Sequence, residues 1–234
     1  MIGPIRFIFY TLPISEIVSY HSLSHHSFSD DNQLYESGNV SQLPEIIHST
    51  QSYISDVKAW MTNNQLQLNN DKMEMILTAS KTILNSDSVP QSLNLEGSDI
   101  KLANTVRNLG VCLDPTLSFQ QQVSVYRTYY LELRWISAIR HYLSEDITKE
   151  LLCAFVLSRL DYCKPLLAGC PKYLLSKLQK VRNNTARLIF RTSRSAHVIP
   201  MFHSLHWLPI EQRIEYLLSL LCFKIIFHQA PIYL

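Results

Sequence analysis

The chain has 234 residues, 47% of them hydrophobic, enough apolar material to build one large domain or two small ones. Only 5 glycines are present, which argues against glycine-rich phosphate loops. The formal charge of +2 conceals a split: residues 1–120 hold 6 Lys/Arg against 12 Asp/Glu, net −6, whereas residues 121–234 hold 15 against 7, net +8.

The apolar start, Ile5 to Ile14, has Arg6 as its one basic residue, Pro4 and Pro13 nearby, Glu16 soon after and no small-residue cleavage site, so it is not read as a signal peptide. Residues 5–19 instead suggest a short helix interrupted near Pro13. Residues 25–36 alternate around Ser29-Asp30-Asp31, a hairpin pattern that sets two adjacent carboxylates at its tip. From Pro44 to Gln65, Ile46, Ile47, Tyr53, Ile54, Val57, Trp60 and Met61 fall on one helical face. Lys72 to Ala79 reads as a strand with Met73, Met75 and Leu77 on one side, and Leu93 to Leu102 as a hairpin around Gly97. A further strand is expected from Val106 to Leu113, ended by Asp114-Pro115.

Beyond that point the pattern turns helical. One helix is expected over Phe119–Leu143. A second starts near Ser144, with Glu145 and Asp146 suited to its N-terminus, and Pro165 ends or kinks it. A third runs from Pro171 to about Arg191 and a fourth from Glu211 to His228, after Pro209. The fold class is therefore α+β, with regions 1–116, 117–200 and 201–234. No apolar run approaches the ~20 residues that span a bilayer; Tyr216 to Phe227 is short and carries Lys224.

The eight basic residues between Tyr162 and Ile210 meet no acidic residue at all. Such segregation is expected of a surface that contacts phosphate backbones; the alternative is a merely solvated helix face. Lys177, Lys180 and Arg187 share spacings close to one helical face, and Arg182 and Arg194 lie off it as surface charges. The five cysteines show neither CxxC pairs nor Cys/His zinc spacing and read as reduced thiols. An intracellular location, not a secreted one, is expected, with no membrane partner. His21, His25 and His26 lie near the aspartates but alternate along a strand and read as structural, and His206-Trp207 reads as packing for the last helix.

At these motifs the chain resembles the C-terminal half of the reverse transcriptase of LINE-like (non-LTR) retrotransposons, the chicken-repeat and jockey-like groups in particular. Phe28-Ser-Asp-Asp-Asn-Gln-Leu-Tyr35 is similar to that family's Tyr-Ala-Asp-Asp-Thr-Gln-Leu-Tyr. Trp60-Met61, Asn64-Gln-Leu-Gln-Leu-Asn69 and Lys72-Met-Glu74 resemble the following palm motif, and Asn108-Leu-Gly-Val-Cys-Leu-Asp114 the strand motif near the primer. Arg159-Leu-Asp-Tyr-Cys163, Lys177-Leu-Gln-Lys180 and Leu205-His-Trp-Leu-Pro209 resemble the thumb and the segment after it.

The resemblance implies a partial polymerase palm over 1–116, a helical thumb-like region over 117–200 and a post-thumb helix over 201–234. It implies RNA-directed DNA synthesis with an RNA template, a DNA primer, deoxynucleoside triphosphates and two Mg²⁺ ions ~3.5–4 Å apart. Asp30 and Asp31 take the metal-facing roles, against the alternative of a plain turn. Lys72 takes a place near the leaving pyrophosphate, against a solvated lysine. Phe28 and Ser29 lie by the nucleotide or primer end, where Phe28 lacks the hydroxyl of the family's Tyr. Asn108, Leu109 and Gly110 form a turn holding the primer, against a simple core strand. Lys172, Lys177, Lys180, Arg187 and Arg191 grip the duplex phosphates. The family's first palm motif, with its bridging carboxylate, would precede Met1, so the chain alone is expected to be inactive as a polymerase.

Overall fold

The computed structural model describes residues 3–21, 23–28, 31–86, 89–90, 92–95 and 98–231. It is a mixed structure, mostly helix with small antiparallel sheets, and divides into two compact units, 1–106 and 107–234. The division falls within a strand ahead of the turn at Leu109-Gly110, rather than after residue 116.

In the first unit, Pro13 separates α1 (Gly3–Thr11) from α2 (Pro13–Tyr20), because proline suits a first helical turn and not an interior. β1 (Ser24–Phe28) and β2 (Asp31–Tyr35) follow as an antiparallel pair. α3 (Leu43–Asn63) opens with Pro44 and Glu45 in its first turn. It closes on Gln65 at φ 55°, which lets the Leu66 N–H reach the Met61 carbonyl at 2.8 Å, a termination more often made on glycine. Ile14 and Val18 of α2 meet Tyr53 and Val57 of α3 with Leu23 between, and Ile54, Trp60 and Met61 pack at the margin. Burial holds the Tyr53 phenol up at about 12.

The segment Lys72–Ala79 is not a strand. A single-turn helix covers Asn70–Lys72, and beyond it only Met75 pairs, by an isolated parallel bridge to Leu102. Alternating Met73, Met75 and Leu77 favour extended backbone, but a strand also needs a neighbour along its length. After α4 (Lys81–Leu84), β3 (Ser92–Leu95) and β4 (Ser98–Lys101) form the expected hairpin. Gly97 lies outside the described residues.

The expected strand Val106–Leu113 is a hairpin, β5 (Val106–Asn108) and β6 (Val111–Leu113). Leu109 at φ 44° and Gly110 at φ 83° turn the chain between them. The helix expected over Phe119–Leu143 is also divided, into α5 (Gln120–Ser124), α6 (Tyr126–Ile139) and a single-turn helix over Arg140–Tyr142. At the break, the Ser124 and Thr128 hydroxyls donate to the carbonyls of Gln121 (2.6 Å) and Val125 (2.7 Å), competing with the helical ladder.

Ser144 caps α7 (Glu145–Leu152) by accepting the Ile147 N–H. A π-helical turn over Cys153–Leu157 leads into α8 (Ser158–Asp161), which stops ahead of Pro165. α9 (Lys172–Ile189) starts directly after Pro171 and is the centre of the second unit. Leu174, Leu175, Leu178, Val181, Thr185, Ala186 and Ile189 are all buried on it, against side chains from α5, α6, α7, α10 (Ile199–Leu205) and α11 (Ile210–Ile226). Met201, Phe202, Leu205, Ile210 and Ile214 thus share the core of the helical unit. Arg140 is buried at the end of α9, donating to the carbonyls of Leu188 (2.9 Å), Ile189 (2.6 Å) and Leu143 (2.7 Å). A cation there satisfies the orphan carbonyls of the helix C-terminus and its negative dipole end.

Candidate nucleic-acid interface

The β1–β2 register pairs Phe28 with Asp31, so only residues 29 and 30 lie between paired positions. Ser29 and Asp30 are outside the described residues. Asp31 and Phe28 are both exposed, Phe28 at 46%. The strands behind them are tied by side chains: Ser27 donates to Asn32 Oδ1 (2.6 Å), and His26 stacks on Tyr35 with Nε2 3.1 Å from its hydroxyl. His21 instead reaches Asp56 of α3 at 2.8 Å. His21 and His26 thus both make side-chain contacts within the first unit.

Lys72 is exposed at the end of the single-turn helix Asn70–Lys72. Among the described residues, no group of three His, Cys, Asp or Glu side chains is placed to hold a metal ion. Asp31, exposed at the hairpin, offers one carboxylate among the described residues.

In the second unit, Asn108-Leu109-Gly110 is a turn, not a continuous core strand. The Tyr162 hydroxyl donates to the Leu109 carbonyl at 2.5 Å, and a Cβ on Gly110 would stand 3.6 Å from the Tyr162 ring. Asp114 anchors the next turn by accepting from Thr116 Oγ1 (2.7 Å) and from the N–H groups of Ser118 (3.1 Å) and Phe119 (2.9 Å). Burial works to raise its carboxyl pKa, but these hydrogen bonds outweigh it and hold the pKa low.

The cations of α9 sort into two groups. Lys172 and Lys180 are exposed, and Lys177 lies half-buried with its ammonium 5.7 Å from the centre of the Tyr173 ring. Arg187 is turned inward, its Nε donating to the Ala196 carbonyl (3.2 Å) and its guanidinium to Asn184 Oδ1 (3.3 Å). Arg191, at φ 51° just past the helix, donates to the carbonyls of Arg140 (2.8 Å) and Leu143 (3.2 Å). These two arginines tie the chain after α9 while keeping part of their charge near the surface. Arg194 is exposed.

Arg182 is no surface charge. It is 4% exposed, 3.6 Å from Asp161 Oδ1, and lies over the Trp207 ring at 5.3 Å. Its position on α9 puts it on the same buried stripe as Leu178 and Thr185. Sequence reasoning misses this because arginine reads as exposed by default.

A second exposed cationic stripe runs along α6. Arg127 and Arg134 are exposed, and Leu131 (52%), Trp135 (65%) and Ile139 (46%) lie between and beyond them. The signal is present in the sequence as spacings of three, four and seven, hidden there by the apolar content of the stripe. Glu132 is paired with Arg159 at 3.1 Å and is largely covered. Exposed aromatic and arginine side chains on one helix face suit stacking and phosphate contact together.

Compared with known proteins, the chain matches no family model, no curated sequence and no solved structure.

Proposed function

We propose that this chain is part of a reverse transcriptase of the LINE-like type, its first unit a portion of the palm and its second a thumb-like duplex grip. The observation that carries this reading is the β1–β2 register, which pairs Phe28 with Asp31 of the family-like motif at the end of an antiparallel hairpin. The basic second unit, with Lys172, Lys180, Arg127 and Arg134 exposed, supports an RNA–DNA duplex as the bound partner. Deoxynucleoside triphosphates belong to the complete reaction. The motif that carries the family's bridging carboxylate is not among these residues, so the chain alone is not expected to polymerise.

Primer extension on an RNA template, with Mg²⁺ and the purified chain, tests this beside Asp30→Asn and Asp31→Asn. The expected result is no extension by any of the three. Extension lost on either substitution would show a complete centre. Duplex binding measured on the same preparations is expected to persist in both aspartate variants, and its absence in the unsubstituted chain would remove the nucleic-acid reading.

The exposed cations also favour a second reading, a nucleic-acid-binding module independent of synthesis. It differs in one respect: duplex affinity is then insensitive to whether the 3′-end of the primer is recessed or blunt.

A further inference from the structure

Asp161, at the end of α8, is shared by three cations. Lys164 pairs with its Oδ1, Arg182 lies 3.6 Å from the same oxygen, and Arg213 of α11 lies 3.3 Å from Oδ2. Lys164 is 0% exposed and Arg182 4%, whereas the side chains of Arg213 and Asp161 are 31% and 28% exposed. The cluster therefore has a closed floor and an open side.

Its charge does not balance. Three cations and one carboxylate leave an excess of two positive charges in a largely desolvated place, a costly state unless an anion joins them. The donors do not balance either. Arg182 Nε and its guanidinium nitrogen nearest Asp161, together with Arg213 Nε, are buried without a hydrogen-bond partner. Buried donors of this kind call for an acceptor. Both guanidinium planes are held in place by aromatic rings, Arg182 over Trp207 at 5.3 Å and Arg213 over Tyr216 at 5.6 Å, so their donors are preorganised. Cys153, on the facing π-helical turn, adds no charge, since burial raises its thiol pKa.

We propose that Lys164, Arg182 and Arg213 form a binding site for one phosphate group. A phosphate dianion would cancel the excess charge, and its oxygens accept from the forked donors of arginine. Asp161 pairs with all three cations and serves to hold them in position. Inorganic phosphate and the terminal phosphate of a 5′-phosphorylated strand both supply such a dianion; a backbone phosphodiester brings only one charge. The site does not rest on the duplex reading above, because it uses none of the exposed cations of α6 and α9.

Thermal unfolding of the full chain tests it, with sodium phosphate titrated against sodium chloride at fixed pH and ionic strength. Phosphate is expected to raise the midpoint saturably, and chloride is not. Arg213→Gln, at a partly exposed position that tolerates exchange, is expected to weaken the apparent phosphate affinity at least tenfold. Lys164→Met serves as the second variant, with the same expectation. A midpoint that responds equally to both salts, or equally in both variants and the parent chain, overturns the site. Competition by a 5′-phosphorylated oligonucleotide, and not by its 5′-hydroxyl counterpart, would assign the bound group to a strand end. Saturable phosphate binding without such competition would assign it to free phosphate. A duplex that fails to bind while phosphate still shifts the midpoint would overturn the proposed function and leave this site standing.

Discussion

The acidic first unit and the basic second unit are packed to different degrees. Among the described residues, the first buries five apolar side chains between α2 and α3, whereas the second buries twenty-two around α9. The sheet of the first unit is two separate two-stranded ribbons, and such ribbons are marginal in water without a packed face. Cutting the chain at 106 keeps the charges apart as well, net −6 against +8. The buried core and the positive charge of this protein are thus concentrated in one unit, while the hairpin of Asp31 sits in the other, on backbone held by little burial.

The largest expected effect breaks the comparison at its strong end. Arg140→Met takes the charged donor from the Leu188 and Ile189 carbonyls at the end of α9, leaving Leu143 to Arg191, and should cost about 4 kcal/mol. Denaturant unfolding followed at Trp207 should show the loss, with the transition sensed at Trp60 unmoved. One coincident transition that shifts as a whole would show that the units do not unfold separately.

A smaller effect concerns charge buried in the second unit. Burial pulls the Lys164 ammonium down to about 8 in spite of Asp161, from 10.5 when unfolded. Between these values the unfolded chain binds the extra proton, so stability should rise with pH from about 8 to 10.5, by about 3 kcal/mol. Below pH 8 the folded lysine is charged and this gain is absent. Comparing the pH profiles of the parent chain and Lys164→Met isolates the rise; parallel profiles would mean that Lys164 is not desolvated.

Binding sharpens the comparison from the side of charge. The double substitution Lys172→Gln and Lys180→Gln should reduce the slope of log affinity against log salt by about 2, and weaken duplex binding about tenfold at 0.1 M salt. Fluorescence anisotropy with a labelled duplex reads both. An unchanged slope would move the interface off α9 and onto the Arg127–Arg134 stripe. The smallest effect is at the turn: Gly110→Ala at φ 83° should cost about 1 kcal/mol, since space is adequate and the backbone is not. A neutral result would show that the turn relaxes.

Much of this protein was legible from its residues because periodicity is local. The α2–α3 face, the hairpin around the aspartates, the Ser144 cap and the proline-marked helix starts follow from spacing and backbone chemistry within a few positions. The family-like motifs, too, could be read without coordinates. Tertiary structure alone decided what depends on partners far along the chain. Met75 found one bridge in place of a ladder, and Leu109-Gly110 became a turn closed by Tyr162. Arg182 and Arg213 joined the neighbouring Lys164 on Asp161 from separate helices, where no sequence window could place them together. A side chain's charge is written in its residue type, but its solvation is set by what packs over it, and that is a property of the fold.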